Sequence, residues 1–279
     1  MTRTFRLRPA LFALSVLIIG TLVSCPARDT AGGNTEPPEQ SARAELAELT
    51  AALPQTIRKR ITSDPRNFLE ALAPVLDKDP DFLRLVDKEH PLEPNYEPDD
   101  LVSLDDTGLS VSRPGHELRG AILTDLHRMD EAARKEGITL LISSAYRSYS
   151  YQESLFERHV EAMGRKEASR VSAEPGKSQH QLGTTIDFGS ITPEYADTPA
   201  GKWLGKNAWR YGFSLSYPEG MEAETGYMHE CWHFRYITPE AARLERLYFD
   251  GIQQYMLEFL HENRETLEST AVFPSQAAE

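Results

Sequence analysis

Ser178-Gln179-His180-Gln181-Leu182-Gly183-Thr184-Thr185-Ile186-Asp187 is the stretch on which the reading of this chain turns. It sets an imidazole and a carboxylate seven residues apart with Gly183 between them. A chain that turns at the glycine and then enters a strand over residues 184–188 can bring both side chains to one point, because glycine accepts the backbone geometry of a tight turn. A second segment, Glu230-Cys231-Trp232-His233-Phe234-Arg235-Tyr236, offers another imidazole with a carboxylate three residues before it. His180, Asp187 and His233 together are a two-imidazole, one-carboxylate set suited to Zn2+. Three protein ligands leave a fourth position open, as in catalytic rather than structural sites. Glu230 is then a spare carboxylate that can carry a proton. One geometric condition attaches. Side chains alternate along a regular strand, so Glu230 and His233 would point to opposite faces. They share a site only if a bulge or turn intervenes near Cys231.

Outward from these segments the elements follow from periodicity. Leu118, Ile122, Leu126 and Met129 form one stripe and predict an amphipathic helix over residues 116–136, stopped by Gly137. Residues 138–142 are a short β-branched run read as a buried strand, and residues 149–163 are helical. Residues 184–188, 213–217 and 232–237 are further strand candidates, and residues 239–264 one or two helices. Upstream, Leu46, Leu49 and Leu53 predict a helix within residues 41–60 that ends before Arg58-Lys59-Arg60. Ser63-Asp64-Pro65 has the form of a helix start for residues 68–76. Pro91, Pro94 and Pro98 mark an extended loop. Helices come first and strands cluster later, without β-α alternation. The expected class is α+β: a small antiparallel sheet with flanking helices, carrying a single zinc site.

The first 24 residues hold Arg3, Arg6 and Arg8, no acidic residue, and an apolar run from Leu11 to Val23, the pattern of a signal peptide. That run ends in Leu22-Val23-Ser24-Cys25, which resembles the lipobox of bacterial lipoproteins and implies a lipid on Cys25. Residues 25–40 are rich in Pro, Gly and polar residues and read as a flexible tether. The remaining expectations are a helical extension over 41–65, a catalytic domain over 66–264 and a frayed tail over 265–279. The formal net charge of −13 argues against a nucleic-acid partner, since phosphate binding needs a basic face. Two cysteines make neither a disulfide framework nor a thiolate metal site. Of the other histidines, His127 and His159 fall in helices as surface or boundary residues. His90, His116 and His261 lack an acidic or histidine partner at ligand spacing.

The S-x-H-x-x-G-x-x-x-D and E-x-W-H segments resemble the D-alanyl-D-alanine carboxypeptidase family of zinc peptidases, which includes the vancomycin-resistance carboxypeptidases and bacterial LD-carboxypeptidases. Ser144-Ala145-Tyr146-Arg147-Ser148 with Gln152 is similar to the family's Y-R-S segment, and Val86-Asp87-Lys88-Glu89-His90-Pro91-Leu92 to its N-terminal signature. Trp203-Leu204, Asn207 and Tyr211-Gly212-Phe213 also fit, so the resemblance spans roughly residues 66–262. It implies that His180, Asp187 and His233 hold zinc and that Glu230 is the general base. Arg147 would stabilise charge on the scissile carbonyl oxygen, and Gln152, Ser178 and Tyr217 would contact the substrate's terminal D-residue. The implied reaction removes a C-terminal D-alanine from a peptidoglycan stem peptide by attack of a zinc-bound water, outside the cytoplasm on the cell envelope, with the membrane reached through the Cys25 anchor. A D-Ala-D-Ala dipeptidase, an endopeptidase of the same fold and a non-catalytic metal-binding module are the alternatives. Two positions depart from the family's pattern. Cys231 stands where relatives often carry Pro or Ser, and Ser216 where they often carry Arg; neither is expected to touch the metal set.

Overall fold

The computed structural model describes residues 38–269. The expected signal peptide, Cys25, most of the expected tether and residues 270–279 lie outside the described residues. Within them the order is α1 (Pro38–Leu49), α2 (Gln55–Ser63), α3 (Pro65–Leu76), β1 (Leu101–Ser103), β2 (Ser110–Val111), β3 (Glu117–Arg119), α4 (Leu123–Lys135), β4 (Leu141–Ser144), α5 (Tyr149–Met163) and α6 (Arg165–Val171). Then follow β5 (Thr185–Phe188), α7 (Pro199–Asn207), β6 (Phe213–Leu215), α8 (Glu222–Thr225), β7 (His233–Tyr236), α9 (Pro239–Tyr248) and α10 (Gln253–Ser269). The architecture is α+β.

The main sheet has the order β2-β4-β5-β7-β6. Three of its pairings are antiparallel, as expected, while β2 joins β4 in parallel. β1 and β3 form a separate two-stranded ribbon. The central strands alternate polar and apolar residues: Thr185-Ile186-Asp187-Phe188 on β5 and His233-Phe234-Arg235-Tyr236 on β7. Because successive side chains take opposite faces, the register Asp187↔His233, Ile186↔Phe234, Thr185↔Arg235 separates them cleanly. Ile186, Phe188, Phe213, Phe234 and Tyr236 enter a core with Ile122, Leu126 and Met129 beside α4 and Trp203 and Leu204 of α7. The opposite face carries Thr185, Asp187, His233, Arg235 and Ser214, all buried.

The two ends of the described chain build a second, helical core. Leu46, Ile57, Ile61, Phe68, Leu72 and Val75 of α1–α3 meet Leu244, Phe249, Met256, Phe259 and Leu260 from the α9–α10 region. Phe68 lies edge-on to Tyr248 at 5.0 Å between ring centroids.

Several boundaries differ from expectation. The helix within residues 41–60 is two helices, broken at Leu53-Pro54 because proline lacks an N–H and starts helices more readily than it continues them. Arg58-Lys59-Arg60 therefore lies inside α2, flanked by the buried Ile57 and Ile61. The helix expected from residue 116 starts at Leu123. Residues 117–119 instead pair with β1, and a short 3-10 turn, Gly120–Ile122, links strand to helix. Leu118 and Ile122 still reach the same core, which is why they mimic helical spacing. The strand after Gly137 is displaced to Leu141–Ser144, with Leu141 exposed. The C-terminal helix breaks between α9 and α10, where Asp250 and Gly251 take positive φ. It runs to Ser269, past the tail's expected start.

Candidate active site

The loop before β5 is a 3-10 turn, Gln179–Leu182, capped by Ser178, whose hydroxyl accepts from the His180 N–H at 3.3 Å. Gly183 ends it at φ 68°, left-handed backbone that L side chains rarely adopt. The chain then enters β5 and places Asp187 opposite His233. His180 Nε2 lies 3.2 Å from Asp187 Oδ2, and His233 Nδ1 lies 3.2 Å from Asp187 Oδ1. One ligand atom from each residue falls within 4.8 Å of the others. All three residues are buried, Asp187 at 2% exposure.

The outer ring nitrogens fix which atoms face inward. His180 Nδ1 is 2.7 Å from the Ala145 carbonyl oxygen, which can only accept, so Nδ1 carries the hydrogen and Nε2 offers its lone pair to the site. His233 Nε2 is 3.3 Å from the side-chain oxygen of Gln179, which also accepts from the Ser216 hydroxyl at 2.7 Å. His233 Nδ1 is thereby turned inward as an acceptor. His180 Nε2 and Asp187 Oδ1, both buried, make no well-directed hydrogen bond. Two inward lone pairs and a buried carboxylate with no hydrogen aligned between them are what a divalent cation completes, and this donor set fits zinc.

Glu230 meets the condition set by the sequence. The His233 N–H donates to the Glu230 carbonyl at 3.2 Å, closing a turn over residues 230–233. The turn brings Glu230 Oε2 to 3.3 Å from His233 Nδ1. Burial alone would raise the Asp187 carboxyl, but His180, Arg147 and His233 beside it hold it well below the usual carboxylate range. Burial, with the Arg147 charge, pushes His180 down to about 4. Burial would also lower His233, but the two carboxylates beside its Nδ1, Asp187 and Glu230, outweigh that and raise it to about 8, the same negative charge that favours a cation at this nitrogen.

The other sequence candidates line one cleft of about 330 Å³ with His180, Asp187, His233 and Glu230. Arg147 donates to Asp187 Oδ2 at 2.6 Å and through Nε to the Ser144 hydroxyl at 2.9 Å. Gln152, on α5, donates to the Ala173 carbonyl at 2.7 Å, and its side-chain oxygen is buried without a hydrogen-bond partner. Tyr217 packs its ring 4.7 Å from His233 and 4.9 Å from Tyr227. Ser178 joins the cleft wall while capping the His180 turn.

Sequence reasoning missed Gln179, which is adjacent to His180 in the decisive stretch, and Tyr227. It also placed Ser216 apart from the metal set, whereas Ser216 stands one residue behind His233 through Gln179. Cys231 does lie away from the ligands, its thiol 3.6 Å from the Thr192 and Pro193 carbonyls. His90 was expected to lack a partner. It has Asp87 three residues before it at 2.8 Å, and the His261 ring at 4.8 Å. Asp87 also accepts from the Glu89 and His90 N–H groups, so the cluster staples a loop.

Residues 115–239 match the VanY family model, D-alanyl-D-alanine carboxypeptidase. A putative carboxypeptidase, YodJ, of Bacillus subtilis (strain 168) is 37% identical over 171 residues, which are 58% of this chain and 62% of that protein. The chain spans about three fifths of the length of the first curated relatives it matches. The solved structure of the LdcB LD-carboxypeptidase superposes with a TM-score of 0.59 at 34% identity, covering 65% of this chain and 88% of that one. A variant of the vancomycin-resistance D,D-pentapeptidase VanY, in complex with Zn(II), superposes with a TM-score of 0.54 at 28% identity, covering 64% and 99%. On the family match, the coverage of LdcB and the shared fold, the chain belongs to the VanY D-alanyl-D-alanine carboxypeptidase family.

Proposed function

We propose that this chain is a zinc carboxypeptidase that removes a C-terminal D-alanine from peptidoglycan stem peptides. The observation that carries the reading is the convergence of His180, Asp187 and His233 in one buried cluster, with Glu230 3.3 Å from His233 at the wall of a small cleft. His180, Asp187 and His233 would hold the ion. Bound zinc supplies a Lewis acid that polarises a carbonyl and makes a water more acidic. Glu230 takes up a proton on its carboxylate and returns it to the departing amine, the two halves of general acid–base help. Arg147 lines the same cleft and offers guanidinium hydrogens to negative charge growing on the peptide oxygen. Gln152, Ser178 and Tyr217, all buried in the cleft wall, would contact the substrate's terminal D-residue. The names of the relatives, carboxypeptidases acting on D-alanyl-D-alanine or LD-peptides, support the substrate class.

Glu230→Gln tests the reading. Glutamine keeps the shape but cannot carry the proton. Turnover of a defined muropeptide is expected to fall by about 10² to 10⁴, with one zinc per chain retained on the same preparation. Near-normal turnover would remove Glu230 from the mechanism, and joint loss of zinc would make it a ligand instead. We further propose that Cys25 carries lipid and holds the enzyme at the outer side of a membrane, where its substrate lies. Detergent phase partitioning of Cys25→Ala against the parent checks this, and equal partitioning would refute it.

A further inference from the structure

The cleft is lined by both buried and exposed residues. Gln152, Ser178, Tyr217 and Tyr227 are buried, whereas Arg113, Tyr151 and Ile191 line the same space and are exposed. A peptide cut near its C-terminus would put its small last residue among the buried side chains. The part that is kept would extend toward the exposed ones, among them Arg113.

Arg113 is unlike the other guanidinium of the cleft. Arg147 is paired with Asp187 at 2.6 Å. Arg113 has neither an ion pair nor a hydrogen bond within the protein among the described residues. Its backbone is nevertheless held. The preceding Ser112 N–H donates to the Ile142 carbonyl at 2.9 Å, and the Ser112 hydroxyl lies 3.4 Å from the Ser143 carbonyl and 3.3 Å from His116 Nε2. The following Pro114 restricts Arg113 to extended backbone. Both guanidiniums act on the buried His116, which burial, Arg113 and Arg147 together hold below its usual range. A guanidinium is a planar fork that matches a carboxylate in two parallel hydrogen bonds. An unpaired fork on a held backbone, in a chain of net charge −13, is placed to bind an anion brought by a ligand.

We infer that Arg113 recognises a side-chain carboxylate on the retained part of the substrate, so the enzyme favours stem peptides whose diamino acid carries a free carboxylate over those in which it is amidated. This rests on the carboxypeptidase reading above.

The test uses two peptides ending in D-alanine that differ only in that side chain, free acid or primary amide, with the parent enzyme and Arg113→Met. The parent is expected to favour the free acid by about 5- to 10-fold in kcat/KM, the range of one partly exposed charge-assisted contact. The preference should sit in KM. Arg113→Met should bring the ratio to about one, with zinc content unchanged. Calorimetric binding of the two shortened products should repeat the ordering without any chemical step. Equal cleavage of both peptides by the parent, or a preference that survives Arg113→Met, overturns the inference and leaves the carboxypeptidase reading standing. Cleavage of neither peptide by the parent overturns both.

Discussion

Each proposed zinc ligand is held by a second residue, and the two histidines are held by different means. His180 is oriented by a backbone carbonyl, that of Ala145, which no side-chain substitution removes directly. His233 depends on a side chain, Gln179, which is itself oriented by the Ser216 hydroxyl. This makes His233 the more easily loosened ligand. Gln179→Leu keeps the volume but removes the acceptor for Nε2–H. Zinc affinity, followed by competition with a chelator, is expected to fall about 10- to 100-fold, the usual cost of losing such a partner. Retention of parental affinity would show that Gln179 merely fills space. The Ser216 hydroxyl fits between Gln179 and Gln253, 3.3 Å from the latter's oxygen.

At the scale of elements, two turns carry the chemistry. The 3-10 turn ending at Gly183 aims His180, and the turn over residues 230–233 aims Glu230 at His233. Gly183 is constrained twice. Its φ is 68°, and a Cβ there would meet Leu101, Arg119 and Pro98 side chains at 3.0 to 3.2 Å. Gly183→Ala is expected to cost on the order of 1–2 kcal/mol from the left-handed backbone. It should also lower zinc occupancy, because the turn that relaxes is the one between His180 and Asp187. Thermal unfolding with and without chelator measures both; a loss of stability that is the same in either condition would mean that the ligand geometry had survived. The His180 turn was legible in the sequence because a glycine between two ligand types has few other uses. The Glu230 turn was legible only as a requirement. The residues Cys231-Trp232 have no turn preference, and the strand that follows could have begun earlier.

The whole molecule joins two cores, and a buried acid lies in the helix that connects them. Glu245 of α9 is 5% exposed, and burial pushes its carboxyl up to about 8, the Ser214 hydroxyl and the Arg246 charge offsetting this only in part. The folded chain therefore keeps this proton at pH values where the unfolded chain, titrating near 4.5, has released it. Between about pH 4.5 and 8 the folded state binds more protons at this site, so its contribution to stability falls as pH rises. Glu245→Gln, neutral throughout, is expected to gain stability relative to the parent across that window. Melting temperatures of the two proteins at pH 5 and pH 8 check this, and a constant difference would mean that Glu245 is charged in the fold.

Chemistry and local order could be read along the sequence. It offered His180, Asp187 and His233 as one set with Glu230 beside it, drew helix α5 to the residue, and placed strands where β5 and β7 lie. These are properties of neighbours along the chain, and periodicity records them. Tertiary structure decided the rest. It made residues 117–119 a strand rather than a helix start, since their partner β1 lies some fifteen residues upstream. It set β2 parallel to β4, and it joined α1–α3 to α9–α10 in one core across most of the chain. It also supplied Gln179, Ser216 and Arg113 with their surroundings. A glutamine, a serine and an arginine are common residues with no spacing of their own. Their roles arise only when a ring nitrogen, a carbonyl or a cleft is brought against them by contacts distant in sequence.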